Sequence, residues 1–108
     1  MGNIGMKVAN VAMAMGMNVY AVTSKQQDEL PNGMHKVTLD KLLEISDILS
    51  LHCPLSDNTR EIINSNTLKQ MKHGAILINT GRGPLVNEND VAEALSTGAL
   101  AAYGSDVM

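Results

Sequence analysis

Two hydrophobic periods alternate along these 108 residues, and that alternation restricts the fold more than any other feature of the chain. Ile4, Val8, Val11, Ala12 and Met15 recur at helical spacing, and Gly16 follows where a helix end takes a left-handed residue. The β-branched run NVYAVT at 18–23 then predicts a strand, and the polar stretch 24–36, with Pro31-Asn32-Gly33 inside it, a loop. Thr38 is placed to cap a short helix through Ile45, and DILSL at 47–51 reads as a second buried strand closed by His52-Cys53-Pro54. A helix is expected over 65–72, a strand over AILIN at 75–79, and a glycine-rich loop over 80–84. Asn87, with Asp90 three residues on, marks a further helix start; that helix runs to Thr97, Gly98 stops it, and a last strand covers 100–107.

Short apolar strands separated by helices imply a parallel sheet covered on both sides, so the predicted class is α/β, a Rossmann-type doubly wound fold. In such sheets ligands bind beyond the carboxyl ends of the strands, where each chemically suggestive motif of this chain falls. No repeat or low-complexity segment interrupts the pattern. A net charge of -3 supplies no basic field, so no nucleic-acid partner is expected; nor is a membrane, since no apolar stretch nears the roughly 18 residues a spanning helix needs. Cys53 is the single cysteine, which excludes an intrachain disulfide and fits a reducing cytoplasm. With two Tyr, no Phe and no Trp, the chain must fill its core otherwise, and its eight Met read as flexible packing, not as metal ligands.

Gly2, Asn3, Ile4 and Gly5 open the first helix, where outward-pointing N–H groups at a positive helix terminus suit a pyrophosphate. The full dinucleotide fingerprint has three glycines after a strand, whereas only a G-x-x-G stands here, so a plain helix start is an equal reading. An acidic residue that would hold the adenosine ribose is expected about 20 residues further on. Thr23, Ser24 and Lys25 occupy that place instead. Hydroxyls and an ammonium suit a 2′-phosphate, which leans toward NADP or toward use of either NAD or NADP; a solvated loop lysine is the alternative.

Leu51-His52-Cys53-Pro54-Leu55 with Thr59, then Ile78-Asn79-Thr80-Gly81-Arg82-Gly83-Pro84-Leu85-Val86, stand in an order that resembles the D-isomer specific 2-hydroxyacid dehydrogenase family. The likeness runs from Gly2 to Asp106-Val107, with Met71-Lys72, Gly98 and the helix from Val91 also in place. It implies NAD(P)-dependent oxidoreduction of a small 2-hydroxy or 2-oxo acid. By that resemblance Cys53, Pro54 and Thr59 are cofactor contacts on the adenosine side, Thr80 and Gly81 face the nicotinamide end, and Asp106 holds the carboxamide. Arg82 becomes the catalytic arginine; a guanidinium grips a 2-oxo carboxylate with two prongs and polarises the reacting oxygen. Without the resemblance Arg82 would read as a loop tether, and Asp106 as a strand-end aspartate. Cys53 is expected to be an inert, buried thiol, and His52 to be structural, with backbone partners from the proline loop.

The same resemblance implies what the chain leaves out. Residues 1–108 are expected to be a partial dinucleotide-binding domain without the substrate-binding domain, lacking the first strand of the 3-2-1-4-5-6 sheet and the glutamate and histidine that handle the alcohol proton. His35, His52 and His73 do not match that histidine. The polypeptide alone is therefore expected to be inactive and to aggregate, fold poorly or borrow a partner strand; a sharp melt from a monodisperse monomer would contradict this. Members of the family also imply a homodimer, and some are non-catalytic corepressors that sense dinucleotide, which is the alternative function.

Overall fold

The computed structural model describes residues 3–23 and 25–105, and of Asn3 and Ile4 it describes the backbone. Gly2, Ser24 and Asp106 lie outside the described residues. Two compact units divide the chain, Met1–Leu42 and Leu43–Met108.

In the first unit, α1 (Asn3–Ala14) ends as Gly16 predicts. Gly16 takes φ 85°, its N–H reaches the Met13 carbonyl at 3.0 Å, and the Met17 N–H reaches back to Ala12 at 3.0 Å. Those two bonds satisfy carbonyls that the helix end would otherwise strand. β1 (Val19–Ala21) then pairs in parallel with β2 (Met34–Lys36), Val19 opposite Met34 and Ala21 opposite Lys36. This second strand corrects the expectation of an unbroken loop over 24–36. It exists because Gly33, at φ 91°, turns Met34 inward until only 1% of it stays exposed. Gln27, in a 3-10 turn at Gln27–Glu29, then covers the strand: its amide donates to the Met34 carbonyl and accepts from the Lys36 N–H, each at 2.8 Å. A side-chain amide thereby does what another strand's peptide would do. Ala9, Ala21, Leu30 and Met34 form the core of this unit, with Met6, Met13 and Val19 packed against it.

α2 (Leu39–Ile45) starts where the cap predicts, Thr38 Oγ1 accepting the Lys41 N–H at 3.2 Å, and its residue Leu43 is fully buried. The second unit holds a three-stranded parallel sheet in the order β3 (Ile48–Leu51), β4 (Ala75–Asn79), β5 (Leu100–Ser105). Parallel neighbours require crossovers, supplied by α3 (Ser65–Gln70) and α4 (Glu88–Thr97). α3 stops two residues short of the predicted end, since Met71 leaves it in extended conformation to be buried and Gly74 turns the chain at φ 82°. α4 keeps both predicted ends: Asn87 accepts the Asp90 N–H at 3.0 Å, and Gly98 is left-handed.

The described strands form two separate parallel sheets, β1–β2 in the first unit and β3–β4–β5 in the second. Among the described residues, β1 and β3 each pair on one side alone. The core of the second unit is built from branched aliphatics, with Ile63, Leu77 and Leu85 fully buried and Leu100 2% exposed.

Candidate functional site

Register places the carboxyl ends of the three strands in one row, Leu51 beside Asn79 and Asn79 beside Ser105. His52 and Thr80 therefore leave the sheet as neighbours. The Thr80 hydroxyl lies 3.0 Å from Nδ1 of His52, whose Nε2 lies 2.7 Å from the Ser50 hydroxyl. Thr80 Oγ1 also lies within 3.5 Å of the Leu51 carbonyl, which can only accept. Thr80 donating there takes its own bond from His52 Nδ1–H, leaving Nε2 to accept from Ser50. Hydroxyls hold this imidazole in place of the expected backbone groups. Burial pushes its pKa down, so the neutral ring that this arrangement needs is the favoured one.

The β4 exit is tighter still. Ala75, Leu77 and Asn79 share the buried face of β4, and Asn79 is 0% exposed. Its Oδ1 accepts the Gly81 N–H at 3.1 Å, while Nδ2 donates to the Arg82 carbonyl at 2.8 Å and to the Tyr103 hydroxyl at 3.4 Å. A methyl group on Gly81 would meet Leu85 Cδ1 at 2.8 Å and the Cys53 carbonyl oxygen at 3.2 Å, so a larger residue here would have to displace the buried Leu85 side chain and crowd the Cys53 backbone. Beyond Arg82 the chain makes a 3-10 turn, Gly83–Leu85, laced to the preceding loop by Glu61 N–H to the Pro84 carbonyl at 2.7 Å and Ile63 N–H to the Leu85 carbonyl at 3.1 Å. Arg82 itself is exposed, and among the described residues no carboxylate forms an ion pair with it.

The loop after β3 is shaped from within. The Thr59 hydroxyl donates to the Pro54 carbonyl at 2.8 Å and accepts the Ser56 N–H at 2.8 Å, so it fixes the turn that carries Pro54. Cys53 is partly buried, and burial pushes its thiol pKa up against a backbone hydrogen bond that lowers it. A raised pKa keeps the sulfur protonated, which suits the inert thiol expected.

In the first unit, Gly5 is buried in the opening turns of α1, a helix with no acidic residue in its first turn to compete for an anion. Asn3 and Ile4 belong to that turn through their backbone; Gly2 precedes the described residues. Thr23 Oγ1 accepts the Lys25 N–H at 3.2 Å, and the Lys25 carbonyl accepts from Lys36 Nζ at 2.8 Å. Lys36 thus brings a second ammonium to the loop after β1, a residue that the spacing argument passed over. Asn79 was passed over as well, although its place two residues beyond Leu77 on a buried strand face is itself the signal, because a buried carboxamide must find partners.

The family model described as D-isomer specific 2-hydroxyacid dehydrogenase, NAD binding domain, matches residues 1–108. A hydroxypyruvate reductase of Blautia hydrogenotrophica is 42% identical over 108 residues, covering 99% of this chain and 34% of that protein. A glyoxylate reductase of Aeropyrum pernix is 43% identical over 109 residues, covering 99% of this chain and 32% of that protein. Among solved structures, the D-lactate dehydrogenase of Lactobacillus jensenii with NAD+ superposes at a TM-score of 0.94 with 37% identity, over 99% of this chain and 32% of that one. The chain spans about a third of the length of the relatives it matches.

Proposed function

The chain belongs to the D-isomer specific 2-hydroxyacid dehydrogenase family as its NAD binding domain, and from that premise we propose that it serves a complete protein that reduces a small 2-oxo acid, or oxidises the matching 2-hydroxy acid. The observation that carries this reading is the β4 exit, where a backbone held on both sides presents an exposed arginine that has no carboxylate partner among the described residues. An unpaired guanidinium there is available to a substrate carboxylate. Arg82 grips that carboxylate in a planar, two-pronged fashion and polarises the neighbouring oxygen. Hydroxypyruvate and glyoxylate are the substrates proposed, on the likeness to the two reductases.

Gly2, Asn3, Ile4 and Gly5 hold the pyrophosphate on the α1 N-terminus, with the backbone as donor. Thr23, Ser24 and Lys25, helped by Lys36, face the adenosine ribose. Their lack of an acidic group and their two ammoniums support acceptance of NADP beside NAD. Cys53 and Pro54, the latter set by Thr59, flank the adenosine; Thr80 and Gly81 line the nicotinamide end, and Asp106 holds the carboxamide. The dinucleotide, when bound, supplies or takes the hydride. A homodimer in a reducing compartment is the proposed setting, supported by the family likeness and the unpaired Cys53.

The complete protein, given hydroxypyruvate, glyoxylate or pyruvate with NADH or NADPH, is expected to consume nucleotide, and Lys25→Ala is expected to weaken NADPH more than NADH. No turnover on any 2-oxo acid with either nucleotide would overturn the enzyme reading and favour dinucleotide sensing without catalysis.

A further inference from the structure

We propose that Asn79 is the positioning residue of the site, holding the Arg82 backbone in place through a carboxamide closed on the loop that follows it. The inference rests on the reading of Arg82 as the substrate anchor. Asparagine is a poor choice for the last buried position of a central strand: it fills less apolar volume than leucine, and its amide loses water. That loss is tolerable only where every polar valence is met, and here every N–H and the oxygen have partners.

Oδ1 receives the Gly81 N–H, one Nδ2 hydrogen goes to the Arg82 carbonyl and the other to Tyr103 of β5. The donor and acceptor assignment follows from those partners, because a peptide N–H can only donate and a carbonyl can only accept. The amide therefore binds the peptide groups on either side of the Gly81–Arg82 link. Packing leaves little room beside Gly81, where an added methyl group would meet Leu85 Cδ1 at 2.8 Å and the Cys53 carbonyl oxygen at 3.2 Å. The arginine's backbone is thus referred to β4, the middle strand of its sheet, while the guanidinium stays exposed. A substrate anchor is sensitive to such a reference, since a displacement of about 1 Å in a reacting geometry costs on the order of 100-fold in rate.

Aspartate in place of Asn79 keeps the acceptor for Gly81 and removes both donations, with almost no change of shape. In the complete protein Asn79→Asp is expected to raise KM for the 2-oxo acid and to lower kcat/KM by about 10- to 100-fold. Binding of ADP-ribose, which lacks the nicotinamide, should stay within about twofold, a split that a general loss of folding would not produce. In an Arg82→Ala background the same substitution should add less than about twofold, because a residue that acts through Arg82 has nothing left to act on. An undiminished effect in that background, or equal losses of ADP-ribose binding and turnover, would overturn the proposal.

Hydrogen exchange of the Gly81 amide supplies a readout without turnover. It should be protected in the unsubstituted protein and in Asn79→Asp, and unprotected in Asn79→Ala. Free exchange in the unsubstituted protein would overturn the clamp, whereas protection in a protein that turns over no 2-oxo acid would overturn the enzyme reading and leave the clamp standing.

Discussion

The two compact units use their apolar residues differently. Among the described residues of Met1–Leu42 the buried hydrophobics are Ala9, Ala21, Leu30 and Met34, two of them alanines, while Val8, Val11, Met15, Met17, Tyr20 and Val22 are exposed. In Leu43–Met108 the buried set includes Leu43, Leu49, Ile63, Leu77, Leu85, Val91 and Leu100, and of the large hydrophobics Ile48 and Leu95 are exposed. Burial of apolar area is the main favourable term in folding, so the second unit, with the larger buried set, is expected to draw more stability from its own core than the first. The candidate residues divide along the same line: Gly5, Thr23 and Lys25 stand in the weakly packed unit, and Thr80, Gly81 and Arg82 in the densely packed one. Contacts along a long nucleotide spread their tolerance over many atoms. A substrate anchor has to be placed to within a fraction of an ångström, and Arg82, the residue proposed for that part, follows a backbone held by the Asn79 carboxamide.

Substitutions that report on each core separately can break this comparison. Leu77→Ala, at a fully buried position of β4, should cost about 2–5 kcal/mol in denaturant unfolding followed by circular dichroism, with the upper half of that range expected from the dense surroundings. Met34→Ala should fall near the bottom of the same range of about 2–5 kcal/mol, since a flexible thioether beside alanines leaves a site that collapses more readily. Equal costs at the two positions would contradict the difference in packing.

A smaller effect, about 1 kcal/mol, is expected for Gly98→Ala, whose cost comes from the left-handed backbone at φ 82° because open space surrounds the position. A cost near zero would show that the α4 terminus relaxes without penalty.

The smallest effect is the pH dependence of His52. Its folded pKa lies below the ordinary imidazole value of about 6.5. The unfolded chain therefore binds the proton more readily, so this contribution is fully present above that value and is lost as the pH falls from it toward the folded pKa. Unfolding measured across that window should show a decline in stability that His52→Gln reduces; an identical decline in both proteins would remove His52 from the account.

Local chemistry made much of this legible. The AILIN strand, the Asn87 cap and the Gly98 stop lie where the residues place them, because each depends on groups within a few positions. β2 was not legible: three residues, Met34–Lys36, become a strand through pairing with β1 and through the Gln27 amide, and no pattern local to 34–36 announces those partners. The end of α3 shifted for a similar reason, since Met71 exchanges helical bonds for burial. At the proposed site, Arg82 and Thr80 are singled out by the family likeness alone. Asn79 is easily missed because an asparagine closing an apolar run reads as the end of a strand; its alternation with Ala75 and Leu77 puts it on their face, and its neighbours in space show it to be fully buried and bonded. His52 was expected to have backbone partners; the strand register that brings Thr80 beside it supplied hydroxyls instead.

The most direct test of the account is a paired measurement on the complete protein carrying Arg82→Lys, in which nucleotide affinity and turnover of hydroxypyruvate are determined together. The account predicts nucleotide binding within about twofold of the unsubstituted protein and kcat/KM lower by about 100-fold or more, because an ammonium keeps the charge and loses the planar grip. Turnover close to that of the unsubstituted protein would contradict the assignment of Arg82 as the substrate anchor.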